Sequence, residues 1–158
     1  MLRVTAHIPA RDVKTAPYDT VTLEADERRL RRKLLRLAGG DEILIDFPSA
    51  ITLGHGDALL LEDGRLAGIV AADEILYEVR ARDQAHLVRL AWHLGNRHLP
   101  AQIEETRILI RRDHVIADML RGLGATIAEI KAPFSPEHGA YHDHSHGAAQ
   151  GHALLNRK

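Results

Sequence analysis

Apolar and polar residues alternate with a period of two through most of residues 1–72, and this period predicts half-buried β-strands. The predicted strands span residues 3–8, 20–24, 42–47, 58–62 and 65–70. Residues 28–37 fit two interpretations, because their leucines could line a helix or one face of a strand. Glycine-containing turns separate the strands, among them Asp63-Gly64, a dipeptide typical of hairpins. The pattern predicts a small all-β domain over residues 1–72, built as a barrel or sandwich.

Residues 73–132 combine the two-residue period with helical spacing. Strands are predicted at residues 74–81, 101–104, 107–111 and 125–131. Between them, Asp83 can cap one helix and Asp113 a second, each followed by apolar residues at intervals of three and four. The resulting order, βαββαβ, is typical of a ferredoxin-like domain. The sequence thus predicts an α+β protein with two domains, residues 1–72 and residues 73–132.

The remaining segment, residues 133–158, has a different composition. Two prolines near its start interrupt regular structure, and five of the eleven histidines of this 158-residue chain follow residue 137. Small residues and histidines bury too little apolar surface to offset the entropy lost on ordering. We therefore expect a disordered tail that becomes ordered only on binding. His142-x-His144-x-His146, with His138 before it, can wrap a divalent ion.

The charge balance and the absence of cysteine narrow the class of protein. Lysine and arginine total 21 against 22 acidic residues, so neither nucleic acid nor an anionic membrane is expected as a partner. A chain without cysteine has no disulfides, iron–sulfur clusters or thiolate metal sites, which leaves nitrogen and oxygen ligands. No apolar run approaches the roughly 18 residues of a membrane span, and the N-terminus lacks the apolar stretch of a signal peptide. We expect a soluble, cytoplasmic protein.

A candidate metal ligand lies in the stretch Trp92-His93-Leu94-Gly95-Asn96-Arg97-His98-Leu99-Pro100. Gly95 and Asn96 tolerate the left-handed conformation, so this pair predicts the end of the preceding helix. Pro100 prevents the helix from resuming. His98 is then held on a short, stiff connection at a helix C-terminus, whose partial negative charge favours a bound cation. The pattern fits a metal ligand, and it also fits a hydrogen-bonded loop histidine.

The other histidines of the first 132 residues have different surroundings in the sequence. His114 lies in the first turn of the second predicted helix, where the helix dipole favours the neutral imidazole that binds metal; a surface residue fits equally well. His86 and His93 are two turns apart on one helix, so we interpret them as surface or interface residues. His7 and His55 belong to the β domain, where no pattern recruits them to a site.

Two further classes of protein are disfavoured by the residues that are missing. RNA-recognition modules share the βαββαβ order but stack bases on aromatic residues, and here Tyr77 is the only aromatic residue of the first strand. The sequence contains no His-Glu-x-x-His motif, no glycine-rich phosphate loop and no Gly-x-Ser-x-Gly elbow. Glu104 and Glu105 are interpreted as a solvated turn, because neighbouring residues on a strand point to opposite faces. We expect no enzymatic activity.

Three stretches of the sequence resemble the UreE family of urease accessory nickel chaperones. They are Gly95-Asn96-Arg97-His98-x-Pro100, Asp113-His114-Val115 followed by Asp118-Met119-Leu120, and Gly139-Ala140-Tyr141 before the histidine-rich tail. The resemblance covers essentially the whole chain. It implies a homodimer in which His98 of each subunit meets its counterpart across the two-fold axis and binds one metal ion.

The resemblance also implies further ligands and partners. The candidate ligands besides His98 are His114, His138, His142, His144 and His146. Ni(II) is the implied cargo, and Zn(II) or Cu(II) can bind in its place, because nitrogen ligands do not select nickel by affinity. The N-terminal domain is implied to contact a protein partner. Nickel then passes to the urease apoprotein through the accessory GTPase complex.

One position departs from the family pattern. Some relatives carry two histidines flanking an aspartate at the start of the second helix, whereas here Arg112 takes the first place and only His114 remains. A protonated guanidinium has no lone pair for a metal, so a complete secondary site is not expected there. Besides the nickel chaperone, the open interpretations are a general divalent-metal binding or storage protein, a metal-dependent hydrolase and a peptide-binding adaptor.

Overall fold

The computed structural model of the protein describes residues 1–138, which are organised around two β-sheets. The first sheet contains β1 (Leu2–Ile8), β2 (Asp19–Leu23), β3 (Arg29–Arg36), β4 (Glu42–Thr52), β5 (Ala58–Leu61) and β6 (Leu66–Ala71). Its strands lie in the order β2-β6-β5-β1-β4-β3. A 3₁₀ turn (Ala10–Asp12) and one helical turn, α1 (Ala25–Arg28), interrupt the strands. Fully buried aliphatic residues such as Ile43, Leu59 and Ile69 fill the core of this all-β domain.

The segment with two sequence interpretations, residues 28–37, forms strand β3 and not a helix. Leu30, Leu35 and Leu37 are buried in the core of the first domain, while Leu34 is exposed. The register against β4 shifts between Leu30 and Arg32. This irregularity changes the phase of the alternation, so that Leu30 and Leu35 reach the same core although an odd number of positions separates them. The shifted phase explains why the leucine spacing also fitted a helix.

The second sheet and two helices form the C-terminal half of the described chain. The elements are β7 (Asp73–Arg80), α2 (Gln84–Asn96), β8 (Ala101–Ile103), β9 (Arg107–Arg111), α3 (His114–Gly122) and β10 (Thr126–Pro133). The sheet is antiparallel, with strand order β10-β7-β9-β8. The predicted α+β class and the βαββαβ order are therefore confirmed. Over residues 1–138, no helix is both long and apolar enough to cross a membrane.

The predicted caps hold the two long helices in place. The Asp83 carboxylate accepts a hydrogen bond from the His86 backbone N–H at 2.8 Å, and that of Asp113 accepts one from Ile116 at 3.1 Å. Both helices pack on one face of the sheet through a single apolar core that includes Tyr77, Val79, Leu87, Leu90, Leu94, Ile108, Ile110, Ile116 and Leu120. The opposite face carries a smaller cluster of Leu76, Leu109 and Phe134, against which Ala25 of the first domain packs.

The interpretation of His86 as a surface or interface residue is wrong. Its side chain is buried, and the ring lies between two backbone groups. Nδ1 accepts a hydrogen bond from the Arg82 N–H at 3.0 Å, and Nε2 donates to the Leu123 carbonyl at 2.7 Å. The ring therefore joins the entry to α2 with the loop after α3, and both of its nitrogens have a hydrogen-bond partner.

The folded part extends further than the sequence predicted. Residues 133–158 were expected to form the disordered tail, but Pro133 is the last residue of β10 and Phe134 is fully buried. A lone phenylalanine in a segment of small residues gives no periodic signal, so its burial is decided by the surfaces that it meets. Of the predicted tail ligands, His138 lies within the described residues, whereas His142, His144 and His146 lie outside them.

Candidate metal centre

The end of α2 presents His98 on a tightly closed turn. Arg97 is the C-cap of α2, and His98 follows it in the left-handed conformation, with φ of 58°. The His98 N–H donates to the Gly95 carbonyl at 3.0 Å, and the Leu99 N–H donates to the Leu94 carbonyl at 3.1 Å. These two bonds are those of the Schellman motif, which satisfies the last carbonyls of a helix.

The residue in the left-handed conformation is not one of those predicted from the sequence. The helix ends at Asn96, within the predicted pair Gly95-Asn96, but both residues of the pair are helical and the left-handed conformation falls on His98. Among non-glycine residues of the described chain, only His98 has a positive φ. This conformation costs a non-glycine residue about 1 kcal/mol or more, and such strain concentrates at functional positions.

His98 is exposed at the point where the helix ends and β8 is about to begin. Leu99 anchors the turn, because it packs against the core under the helices. Pro100 connects directly to Ala101, the first residue of β8. An imidazole between two fixed elements, at the partially negative end of a helix, is well placed to meet a cation.

A shallow pocket of about 310 Å³ lies beside this turn and reaches the start of α3. It is lined by Leu99, Pro100, Ile110, Arg111, Arg112, Asp113 and Ile116. The lining includes Leu99, which follows His98, and Asp113, which precedes His114, but neither histidine is among the lining residues. The pocket itself is apolar with two arginines, which makes it a poor site for a bare cation.

His114 is exposed at the first turn of α3 and meets a residue that the sequence reasoning missed. Its Nδ1 lies 3.5 Å from the hydroxyl of Tyr77, at the outer limit of a hydrogen bond. Tyr77 comes from the central strand β7 and is buried, so it can orient the imidazole and leave Nε2 for a metal. Arg112, at the position that departs from the family pattern, pairs with Glu129 at 3.0 Å.

His138 lies at the end of the described chain, between the two domains. The Glu137 N–H donates to the Ala101 carbonyl at 2.8 Å, and Nε2 of His138 lies 3.3 Å from the Thr52 hydroxyl. No three histidine, aspartate or glutamate residues come together as a metal site within residues 1–138. His98, His114 and His138 therefore offer single imidazoles, and the described part of one subunit does not complete a coordination shell.

The histidines of the first domain hold turns. His7 Nε2 and Asp57 Oδ2 are 2.7 Å apart. The same carboxylate accepts hydrogen bonds from the backbone of Gly54 and Ala10. Nδ1 of His55 accepts a hydrogen bond from the Ala71 N–H at 3.1 Å. These contacts stabilise the turn before β5 and the end of β6.

Charged side chains on the helix-free face of the second sheet form a continuous network. Glu78 accepts hydrogen bonds from Arg107 and Arg80, which hold the pKa of its carboxyl below the usual range. Arg107 also bonds Glu104 at 2.8 Å, and Glu104 accepts from the Gln102 amide at 2.7 Å. Glu104 is thus ion-paired and half-buried, and only Glu105 is the solvated turn residue that the sequence predicted.

Large apolar side chains are exposed on both helices of the second domain. Val88 and Trp92, one turn apart on α2, are 60% and 63% exposed, and Val115 at the start of α3 is 75% exposed. The indole of Trp92 meets the half-buried His93 ring edge to face, with centroids 5.1 Å apart. Tryptophan is enriched in protein interfaces, and the two valines extend the apolar surface beside it.

Both domains of the chain match models of one known protein family. The family model described as UreE urease accessory protein, N-terminal domain, matches residues 3–72, and the corresponding C-terminal domain model matches residues 74–154. The chain belongs to the UreE urease accessory protein family. The resemblance found in the sequence is thereby confirmed, and the two UreE family domains coincide with the two sheets.

Curated relatives of the UreE family match over most of their own length. The urease accessory protein UreE of Rhizobium leguminosarum bv. trifolii is 54% identical over 154 residues, covering 97% of this chain and 80% of the relative. That of Chelativorans sp. is 58% identical over 135 residues, or 85% of each chain. That of Agrobacterium fabrum is 54% identical over 144 residues, covering 91% and 89%.

Proposed function

We propose that this protein is a nickel-binding metallochaperone that delivers Ni(II) for assembly of the urease active site. In this proposal the ion is held at a homodimer interface by His98 of both subunits and is supplemented by histidines of the C-terminal segment. The observation that carries it is the exposed His98 in a strained backbone conformation at the end of α2, in a member of a urease accessory family. Nickel is cargo, and the protein acts by binding and transfer without catalysis.

A homodimer would supply metal ligands that the described part of one subunit lacks. A two-fold axis passing beside His98 brings two imidazoles to one ion, because an isologous interface presents the same residue twice. The exposed side chains of Val88, Trp92 and Val115 supply apolar surface for such an interface. His114, His138, His142, His144 and His146 are the candidates for the remaining coordination positions.

The ligand chemistry fits a transient site. Imidazole nitrogen binds Ni(II), Zn(II) and Cu(II), and affinity alone favours copper, so directed delivery of nickel depends on the partner that accepts it. Ligands that come from two subunits and a separate segment can leave the ion one at a time, which suits transfer. We propose the urease accessory GTPase and the urease apoprotein complex as acceptors, with the N-terminal domain as their contact surface and the cytoplasm as the location.

The test is calorimetric titration with NiCl₂, with molecular mass measured by light scattering on the same samples. His98→Gly is compared with His55→Ala, at an exposed histidine of the first domain that is not a proposed ligand. We expect one tight ion per dimer in the intact protein and in His55→Ala, and loss of that ion in His98→Gly. A chain ending at His138 should keep the His98-dependent ion at reduced affinity.

Two results would overturn the proposal. If His98→Gly binds nickel as tightly as the intact protein, His98 is not the central ligand. If the chain ending at His138 binds no nickel and the intact protein binds nickel, copper and zinc with the stoichiometry of its tail, the protein is a general metal-binding or storage protein. The chaperone assignment would then be withdrawn.

A further inference from the structure

Positive charge is concentrated in one hairpin of the first domain. Residues 28–52, which contain β3, β4 and the turn between them, hold six of the 21 basic residues of the chain and three of the 22 acidic ones. The formal charge of this hairpin is therefore +3, against −4 for the rest of the chain. The nearly neutral total thus results from a basic hairpin and an acidic remainder, which makes the hairpin an attractive surface for anions.

Four of these basic side chains lie on β3 and are exposed. We call them the basic edge; they are Arg31, Arg32, Lys33 and Arg36. Within residues 1–138, none of the four forms an ion pair, and Arg31 donates a hydrogen bond to the Phe47 carbonyl at 3.3 Å. The second sheet differs, because its Glu78 pairs with both Arg80 and Arg107. The charge of the basic edge is therefore left for a group outside the described chain.

The register against β4 arranges the outward-facing residues of β3 in three cross-strand pairs. The middle pair is apolar, and Leu34 in it is 47% exposed. Each flanking pair sets an arginine opposite a carboxylate. The pairs are Arg32–Asp46, Leu34–Leu44 and Arg36–Glu42. Lys33 stands opposite the buried Ile45, so no carboxylate of β4 faces it.

The backbone of β3 is open on the side away from β4. β3 is the outermost strand of its sheet, and within residues 1–138 positions 32–36 pair with β4 alone. In an antiparallel pair, every second residue points its N–H and C=O away from the partner strand. The open stretch ends at Ala38, whose N–H donates to the Thr20 carbonyl at 2.8 Å. Residues 32–36 can therefore accept one further strand.

The charges on this edge select what can pair with it. A second copy of β3 would set like charges opposite each other, which opposes association. A continuous polyanion such as nucleic acid would also meet Asp46 and Glu42 on the outward face. An extended peptide avoids both conflicts if its carboxylates face positions 32, 33 and 36 and its apolar residues face Leu34 and Leu35. The complementary segment thus has two neighbouring apolar residues between acidic ones.

We propose that the basic edge is a docking site for an extended acidic segment of a partner protein, which adds to β3 as a further strand. Main-chain hydrogen bonds then provide the pairing, while the basic side chains set the register and speed association. This inference rests on the proposed function, in which the first domain contacts the acceptor proteins. It deepens that function by naming the strand and the chemistry of the segment that the strand receives.

The probe for this site is a fluorescein-labelled peptide, Glu-Glu-Val-Val-Glu-Glu, which reads the same in parallel and antiparallel pairing. Its binding to the full chain is measured by fluorescence anisotropy. One control peptide has glutamine in place of glutamate and lacks the charge. A second has proline in place of valine, which keeps the charge but removes two N–H donors and disfavours a strand. A labelled oligothymidylate tests nucleic acid as the alternative ligand.

The protein variants separate local charge from total charge. Arg32→Gln with Lys33→Gln removes two charges from the basic edge. Arg11→Gln with Lys14→Gln removes the same two residue types from exposed positions of the same domain and is the matched control. All four positions are exposed, so both variants should remain folded.

We expect the acidic peptide to bind the intact protein and the matched control with affinities within about twofold of each other, and the Arg32→Gln, Lys33→Gln variant about fivefold more weakly. The glutamine and proline peptides should each lose at least as much. Raising the salt concentration from about 0.05 M to about 0.5 M should weaken binding of the acidic peptide several-fold, because the charges are exposed.

Four results would overturn the docking proposal. Equal weakening in the two variants would show an effect of total charge alone. Equal binding of the valine and proline peptides would show attraction without strand pairing. Tighter binding of oligothymidylate would indicate a nucleic-acid surface. No binding of the acidic peptide to the intact protein would leave the basic edge with only the role of preventing self-association.

The docking proposal and the proposed function fail separately. Calorimetric titration of the Arg32→Gln, Lys33→Gln variant with NiCl₂ should give the same His98-dependent ion as the intact protein. Loss of peptide binding in the intact protein with nickel binding retained overturns the docking proposal alone. Peptide binding without a His98-dependent ion overturns the proposed function alone. Thermal unfolding identifies a variant that fails to fold, and the comparison of peptides on the intact protein then decides.

Discussion

His98 and Gly124 occupy the same position in the two halves of the second domain. Each is the first residue beyond a helix cap, with φ of 58° and 91°. Like His98, Gly124 closes a Schellman motif, since its N–H donates to Arg121 and that of Ala125 donates to Leu120. Glycine adopts this conformation without strain, whereas histidine does not. The first half therefore carries an imidazole where glycine would give a more stable backbone.

This relationship makes a prediction for the metal-free protein. His98→Gly should raise the free energy of unfolding by about 0.5–1 kcal/mol, because it relieves the left-handed strain while nickel binding is lost. Urea denaturation of the metal-free protein measures the change. Gly124→Ala is the reciprocal control and should destabilise, since a Cβ there also lies 2.7 Å from the Arg82 guanidinium. A less stable His98→Gly variant would contradict the strain assigned to His98.

Arg28 should stabilise the packing of the first domain against the segment that follows β10. Arg28 is buried and donates hydrogen bonds to the carbonyls of Leu23, Leu53 and Phe134, of which the Leu23 carbonyl also accepts from the Ala72 N–H. Arg28→Ala removes these bonds and opens a cavity, so we expect a loss of about 3 kcal/mol in the free energy of unfolding. Arg36→Ala, at an exposed arginine of the same region, should change stability by less than about 0.5 kcal/mol. Urea denaturation compares the two variants. Similar stabilities would mean that the Arg28 hydrogen bonds contribute little.

The carboxylate of Glu78 predicts a dependence of stability on pH. Hydrogen bonds from Arg107 and Arg80 lower its folded-state pKa, so its stabilising contribution is present above the ordinary glutamate pKa and is lost as the pH falls through the lowered value. Glu78→Gln should cost about 1–2 kcal/mol at pH 7 and much less at pH 3. The urea midpoints of the intact protein and of Glu78→Gln at both pH values measure this loss of stability. An equal loss at pH 7 and pH 3 would contradict the stabilising role of the ionised Glu78 carboxylate.

The proposed dimer predicts the behaviour of Trp92. Placing a charge on the exposed helix surface by Trp92→Asp should convert the dimer to a monomer at micromolar concentration, because a buried unpaired charge opposes association. Leu34→Asp places the same charge on an exposed position of β3 in the first domain and should leave the mass unchanged. Sedimentation velocity distinguishes one copy from two. A Trp92→Asp protein that stays dimeric would show that the dimer interface does not include Trp92.

Much of the second domain could be predicted because its signals are local. The caps at Asp83 and Asp113 and the two periods of apolar residues lie within short windows, and they gave the order of elements correctly. The position of His98 directly after the first long helix was also predicted, from its neighbours Gly95 and Pro100. The left-handed conformation of His98 was not predicted, because helix termination depends on how Leu99 packs into the core as well as on which residue tolerates a positive φ.

The features that the sequence left open all depend on long-range contacts. Strand β3 was ambiguous because a register shift against β4 sets the phase of its leucines. His86 is buried because its ring happens to lie between Arg82 and Leu123, which no periodic pattern encodes.

The sequence by itself determined the α+β class, the order of elements, the family and the candidate ligand His98. Only the tertiary structure decided that Phe134 is buried between the second sheet and the first domain. A hydrogen bond joins Arg28 to the Phe134 carbonyl across 106 positions of the chain. Periodicity and turn chemistry report on a few neighbouring residues, whereas the surfaces that bury Phe134 exist only after two separately folded sheets have met.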